Sequence, residues 1–183
     1  MNEEFELLKD VALRLKKAGI EYMMTGSMAM AVYSTPRMTR DIDIIIEVSH
    51  GDISRIVAMF RDDFYIDEAS VRQAVRDRGM FNIIHSKSVI KVDFIIRKNE
   101  EYRIEEFSRR QMVIIEGIPI SVVAPEDLVL SKLIWVKQSG SELQFHDVRQ
   151  MMMVLKEIDG KYLEKWSKIL GIEDLLRKVK EHE

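Results

Sequence analysis

The sequence predicts an α/β fold: a small mixed β-sheet flanked by helices, with a helical subdomain at the C-terminal end. Three observations lead there. Segments with apolar residues at helical spacing alternate with short β-branched runs as far as Val123. The densest run, Asp41 to Val48, carries Ile42, Ile44, Ile45 and Ile46 and reads as a central strand. From Pro125 onward the strand pattern gives way to helices.

In order, Glu3 to Lys17 places Phe5, Leu7, Leu8, Val11, Leu13 and Leu15 among charges, and Gly19 stands where a helix would stop. Ile20 to Met24 is a short apolar strand. Gly26 and Ser27 then make a turn whose serine is suited to cap a helix running through Ala31 to Tyr33. After the Asp41 to Val48 strand, helices are expected over Ile53 to Arg61 and Glu68 to Asp77. Met80 to His85 and Ser88 to Arg97 read as a hairpin turning at His85, Ser86, Lys87 and Ser88. Glu100 to Arg110 is a charged helix, and Met112 to Glu116 and Ile118 to Val123 are strands around Gly117. Pro125, Glu126 and Asp127 open a helix through Val136, with proline in the first turn and acids at its positive end. Ser141 opens another through Leu155, and two shorter helices near Leu163 and Leu175 finish the chain. A soft boundary near Val123 divides an α/β core, 1–123, from the helical subdomain, 124–183.

With 183 residues, 46% of them hydrophobic and 32% charged, the chain is long enough to bury a core of its own. No apolar run approaches the roughly 20 residues that cross a bilayer. The opening MNEEFELLKD is acidic and amphipathic where a secretory signal is basic and then apolar, so a cytoplasmic location is expected. The absence of cysteine excludes disulfides, thiolate zinc sites and cysteine nucleophiles, leaving oxygen or imidazole donors for any metal. A net charge of −3 gives no broad footprint for nucleic acid, which leaves only a local basic groove for such a partner.

The chemistry concentrates in TGSMAMAVYSTPRMTRDIDIIIE, Thr25 to Glu47. Residues two apart on a strand share a face, so Asp41 and Asp43 point together while Ile42, Ile44, Ile46 and Val48 pack on the other side. Two like charges that close need compensation, and a divalent cation such as Mg²⁺ supplies it. Taken alone, such a pair also fits an exposed strand end. A third acid, Asp93, sits in IKVDFII among apolar strand residues, and Gly26 and Ser27 lie at a strand-to-helix turn able to hold a phosphate. Three carboxylates and a phosphate-binding turn describe a two-metal nucleotidyl transfer site.

Gly26 and Ser27, 13 residues, Asp41-Ile42-Asp43 and a later Asp93 together resemble the DNA polymerase β-type nucleotidyltransferase superfamily. Pro36-Arg37-Met38-Thr39-Arg40-Asp41, with the later PEDLVLSKLIW and SELQFHDV, resembles its minimal bacterial members, which include abortive-infection toxin-like proteins. The likeness covers roughly Tyr22 to Val148. It implies that Asp41 and Asp43 bind both metals, that Asp93 completes the catalytic-metal site and assists deprotonation of the acceptor, and that Gly26 and Ser27 cradle the β- and γ-phosphates of an NTP. It further implies that Lys132 adds charge against the triphosphate, and it aligns Asp147 with an acidic position of open role. The activity implied is Mg²⁺-dependent transfer of an NMP to an acceptor hydroxyl on a tRNA end, a small molecule or a protein, with an antitoxin protein as a partner. The alternative is a catalytically idle nucleotide-binding or partner-binding module that keeps the fold.

Other residues carry competing readings. Lys132, on an apolar helix, is an inward-reaching cation or a snorkelling surface lysine. Arg37 contacts phosphate or orders its loop, and Asp147 is a site residue or a solvent-facing one. Ser141 and Gln144 match a capping box. Met151 to Met153, Trp135 and Trp166 read as packing, and Arg109 and Arg110 as part of a mixed solvated face that also suits an RNA path. His146-Asp147 resembles the pair of metal-dependent phosphohydrolases, but His50, His85 and His182 supply no matching set.

Overall fold

The computed structural model describes residues 2–35, 39 and 41–181. Elements follow in the order α1 (Asn2–Lys17), β1 (Glu21–Thr25), α2 (Gly26–Tyr33), β2 (Asp41–Glu47), a 3-10 turn (His50–Asp52), α3 (Ile53–Phe60), β3 (Phe64–Ile66), α4 (Glu68–Asp77), β4 (Met80–His85), β5 (Lys91–Ile96), α5 (Glu101–Ser108), β6 (Gln111–Ile115), β7 (Ile118–Val122), α6 (Pro125–Ser139), α7 (Glu142–Val154), α8 (Gly160–Leu170) and α9 (Glu173–Lys180). The seven strands make one mixed sheet in the order β3-β4-β5-β2-β1-β7-β6.

β2 is central, parallel to β5 and antiparallel to β1. Its isoleucines explain the position: Ile42, Ile44 and Ile46 are each at most 1% exposed. On that face Phe60 of α3 meets Phe94 of β5 and Phe64 of β3, with ring centroids 5.6 and 5.3 Å apart. Each such buried side chain contributes about 1.5 to 3 kcal/mol. α1 buries Leu7, Leu8, Val11, Ala12 and Leu15. It stops at Gly19, whose φ of 65° lets the Gly19 and Ile20 amides reach back to the Lys16 and Leu15 carbonyls.

The helical end is joined to the sheet by buried polar contacts as well as by a shared apolar core. Arg109, just after α5, donates to Asp127 and Glu126 in the first turn of α6, and its guanidinium lies 3.8 Å from the Tyr162 ring centroid. The Tyr162 hydroxyl donates to the other Asp127 oxygen at 2.7 Å. The Glu106 carboxylate is buried against Arg103 and Ser131. The solvated face expected at Arg109 is therefore an internal tie, because Glu126 and Asp127 are buried and need a cation.

Other local readings change as well. β5 begins at Lys91 rather than Ser88, because Val89 takes φ 57° and breaks the extended run. Trp166 is buried against Tyr102, whereas Trp135 is 57% exposed on α6. Met151 is buried and Met152 packs on the core, but Met153 faces outward. The helix after β1 starts at Gly26, with Thr25 rather than Ser27 at its cap position. At φ 68° Gly26 turns the chain by itself, so no separate turn is needed.

Candidate active site

Strand pairing assembles the site. Asp43 lies opposite Asp93 and Asp41 opposite Lys91 on the parallel strands β2 and β5, and Thr25 lies opposite Asp43 on β1. With a two-residue period, Asp41, Asp43, Lys91 and Asp93 all share one face. That face lies at the end of β1 from which α2 departs, so the positive end of α2 is beside the carboxylates. α2 is held there by the Tyr33 hydroxyl, which donates to the Val123 carbonyl at 2.7 Å.

Exposure is graded across the group. The Asp41 side chain is 54% exposed, Asp43 is half-buried, and the Asp93 side chain is 9% exposed. Burial first, then repulsion from Asp93 and Asp41, pushes the Asp43 carboxyl up to about 6, while Lys91 and Lys132 pull it down. Gly26 explains how the carboxylate fits. A Cβ added there would stand 2.0 Å from Asp43 Oδ2, so this backbone position has room for hydrogen alone. Ser27, the next residue, is buried.

Lys132 and Asp147 form a second, buried group, close enough for the Lys132 charge to act on Asp43. Both are under 5% exposed; Lys132 Nζ lies 2.7 Å from Asp147 Oδ2 and donates to Gln144 Oε1 at 2.9 Å. The structure removes the snorkelling reading of Lys132 and the solvent-facing reading of Asp147. It also splits the expected capping box. Ser141 Oγ accepts from the Gln144 amide at 3.4 Å, but the Gln144 carboxamide accepts from Lys132 instead of turning back to the cap. Arg37 lies outside the described residues.

Among the described residues, no three acidic or histidine side chains are already gathered as a metal-ligand cage. Lys91 Nζ stands within the group, 2.8 Å from Asp93 Oδ2 and 3.7 Å from Asp41 Oδ1. The donor set still fits a hard divalent ion. Asp93 Oδ1 is buried without a hydrogen-bond partner, and the charged form of Asp43 is under-compensated. Lys91 is the member of the site that sequence reasoning missed. Its signal was its position two residues before Asp93 on the same strand.

A family model described as "Nucleotidyl transferase AbiEii toxin, Type IV TA system" matches residues 7–167. The chain belongs to this family. It is therefore a nucleotidyltransferase, and the match runs from within α1 into α8. Solved structures agree in fold. An antigenic nucleotidyltransferase-like protein from Paracoccidioides brasiliensis is 18% identical with a TM-score of 0.57, over 84% of this chain and 76% of that one. The lincosamide antibiotic adenylyltransferase LnuA, with lincomycin bound, is 11% identical with a TM-score of 0.55, over 85% and 98%. The antibiotic-resistance factor ANT(2'')-Ia is 12% identical with a TM-score of 0.55, over 97% and 92%. A comparison with curated proteins returns no match.

Proposed function

We propose that the chain moves an NMP from an NTP to an acceptor hydroxyl on the face formed by Asp41, Asp43 and Asp93, using two Mg²⁺ ions and releasing pyrophosphate. The observation that carries this reading is the register of β2 and β5, which sets Asp43 opposite Asp93 with Asp41 on the same face beside α2. Asp41 and Asp43 would hold both ions and Asp93 the one nearer the acceptor. Bound there, Mg²⁺ supplies charge neutralisation to the triphosphate and to the departing pyrophosphate.

The chain's own residues position and move the rest. Backbone N–H groups at Gly26 and Ser27 take the β- and γ-phosphates, backed by the positive end of α2. Asp93 Oδ1, buried and without a partner, receives the acceptor proton as the new oxygen–phosphorus bond forms and the bridge to the β-phosphate breaks. Lys132 adds positive charge toward the triphosphate, and Asp147 positions its ammonium. The core of 1–123 carries the carboxylates, and the helical subdomain of 124–183 closes the nucleotide cleft with Lys132.

The acceptor is a tRNA end, a small molecule or a protein hydroxyl; LnuA, as an adenylyltransferase for an antibiotic, supports the small-molecule arm. The family's description supports a toxin role with an antitoxin partner, and among the described residues no helix is long and apolar enough to cross a membrane. The test uses each of four radiolabelled NTPs with Mg²⁺ and total tRNA, candidate aminoglycosides or no added acceptor. Label moved by the wild type and not by an Asp41→Asn, Asp43→Asn double variant is the expected result, and equal transfer by both overturns the site. Growth arrest on expression, relieved by a neighbouring gene product, tests the toxin role; unimpaired growth with active enzyme overturns it.

A further inference from the structure

Lys91 has no role in the transfer described above, yet it stands in contact with the carboxylate group. Asp41, Asp43, Lys91 and Asp93 form a two-by-two grid on adjacent parallel strands, three corners anionic and one cationic. Its Nζ contacts Asp93 Oδ2 at 2.8 Å and approaches Asp41 Oδ1 at 3.7 Å, so it engages acidic groups from both strands. The other Asp93 oxygen is buried and has no partner. The Lys91 side chain is 37% exposed, against 4% for Lys132, which two groups on α7 hold in place.

We propose that Lys91 is an exchangeable counter-ion, which neutralises Asp93 and Asp41 while no divalent cation is present and swings into solvent when one enters, thereby setting the affinity of the site for the ion. The proposal rests on reading Asp41, Asp43 and Asp93 as the metal-holding set. An ammonium on a flexible four-carbon stem, already in contact with water, gives up such a contact at small cost, whereas the buried Lys132 does not. Lys91 also holds one of the two oxygens that Asp93 offers to a cation. Removing its charge then has a distinctive sign. A lysine that only ordered β5 would, when removed, loosen the carboxylates and weaken metal binding, whereas a competing counter-ion would, when removed, strengthen it.

The test titrates the metal-free full chain with Mn²⁺, reading free ion by electron paramagnetic resonance, in the wild type and in Lys91→Met, Lys91→Arg and Asp43→Asn variants. Lys91→Met is expected to bind about two- to fivefold more tightly, the effect of one half-exposed charge pair. Lys91→Arg should stay near the wild type, and Asp43→Asn should lose the site. Unchanged or weaker binding in Lys91→Met, with a site that Asp43→Asn still erases, overturns the counter-ion proposal alone. A wild type with no Mn²⁺ site that Asp43→Asn erases overturns it together with the metal reading. Acetic anhydride labelling of the wild type, read by mass spectrometry, needs no variant at all. Labelling at Lys91 should rise several-fold on adding Mg²⁺, and constant labelling overturns the exchange.

Discussion

Asp43 is the residue on which stability and activity pull in opposite directions. Its carboxyl is pushed up to about 6 from an ordinary value of 3.8, so ionising it costs more in the folded chain than in the unfolded one. Below about pH 4 both states hold the proton and the cost is absent; as pH rises through about 6 the cost comes fully into force. Chelator-treated wild type should therefore lose stability relative to Asp43→Asn over that interval, by about 1 to 3 kcal/mol at pH 8. Denaturant titrations of the two proteins at pH 4, 6 and 8 measure the difference. A gap that does not widen with pH would remove Asp43 as its source. Gly26 is bound to Asp43 by space. With a φ of 68° and the Asp43 carboxylate at the place of a Cβ, Gly26→Ala should lower stability by about 1 to 3 kcal/mol and transfer by about a hundredfold or more. Thermal melts and single-turnover transfer rates check the two effects separately.

At the scale of elements, α6 and α7 are joined by the buried Lys132 and Asp147 pair. Removing one partner of such a buried pair costs about 3 to 5 kcal/mol, whereas replacing both with apolar groups is close to neutral. Lys132→Met and Asp147→Leu should each destabilise strongly, and the double variant should recover most of the loss. Transfer should be absent in the double variant if Lys132 supplies the proposed charge toward the triphosphate. Recovery of transfer along with stability would reduce the pair to a structural role. The Arg109, Asp127 and Tyr162 group does for α5, α6 and α8 what that pair does for α6 and α7. Both Asp127 oxygens are partnered there, so each member is costly to remove singly.

For the whole molecule, sheet and helical end are one packing unit. Met28 and Met30 of α2 share a core with Leu128, Leu130 and Leu133 of α6 and with Val148 and Met151 of α7. Because α2 also carries Gly26 and Ser27, the end of the site proposed to take phosphate depends on the helices that follow the sheet. A fragment of residues 1–123 should thus fail to fold to a stable state, since it exposes that apolar surface, while the full chain unfolds in a single transition. Circular dichroism melts of both decide it, and a cooperative melt of the fragment would establish an independent core.

The sequence by itself determined the family, the alternation of helices and strands, and the pairing of Asp41 with Asp43 on one face. These follow from local periodicity and from a spacing of chemical groups that the chain carries in linear form. Helix ends at Gly19 and Pro125 and the cap at Ser141 were legible for the same reason. β3, three residues long, is too short to show a period, and the late end of the β4–β5 turn rests on a Val89 backbone angle that residue type disfavours. Only the tertiary structure decided which distant residues meet. The parallel register of β2 and β5 set Asp93 beside Asp43 and brought Lys91 to Asp41. Burial then turned Lys132 and Asp147 into an ion pair and Arg109 into an internal tie. A charged side chain looks the same in sequence whether it faces water or another charge, and its partner and its solvation are properties of packing alone.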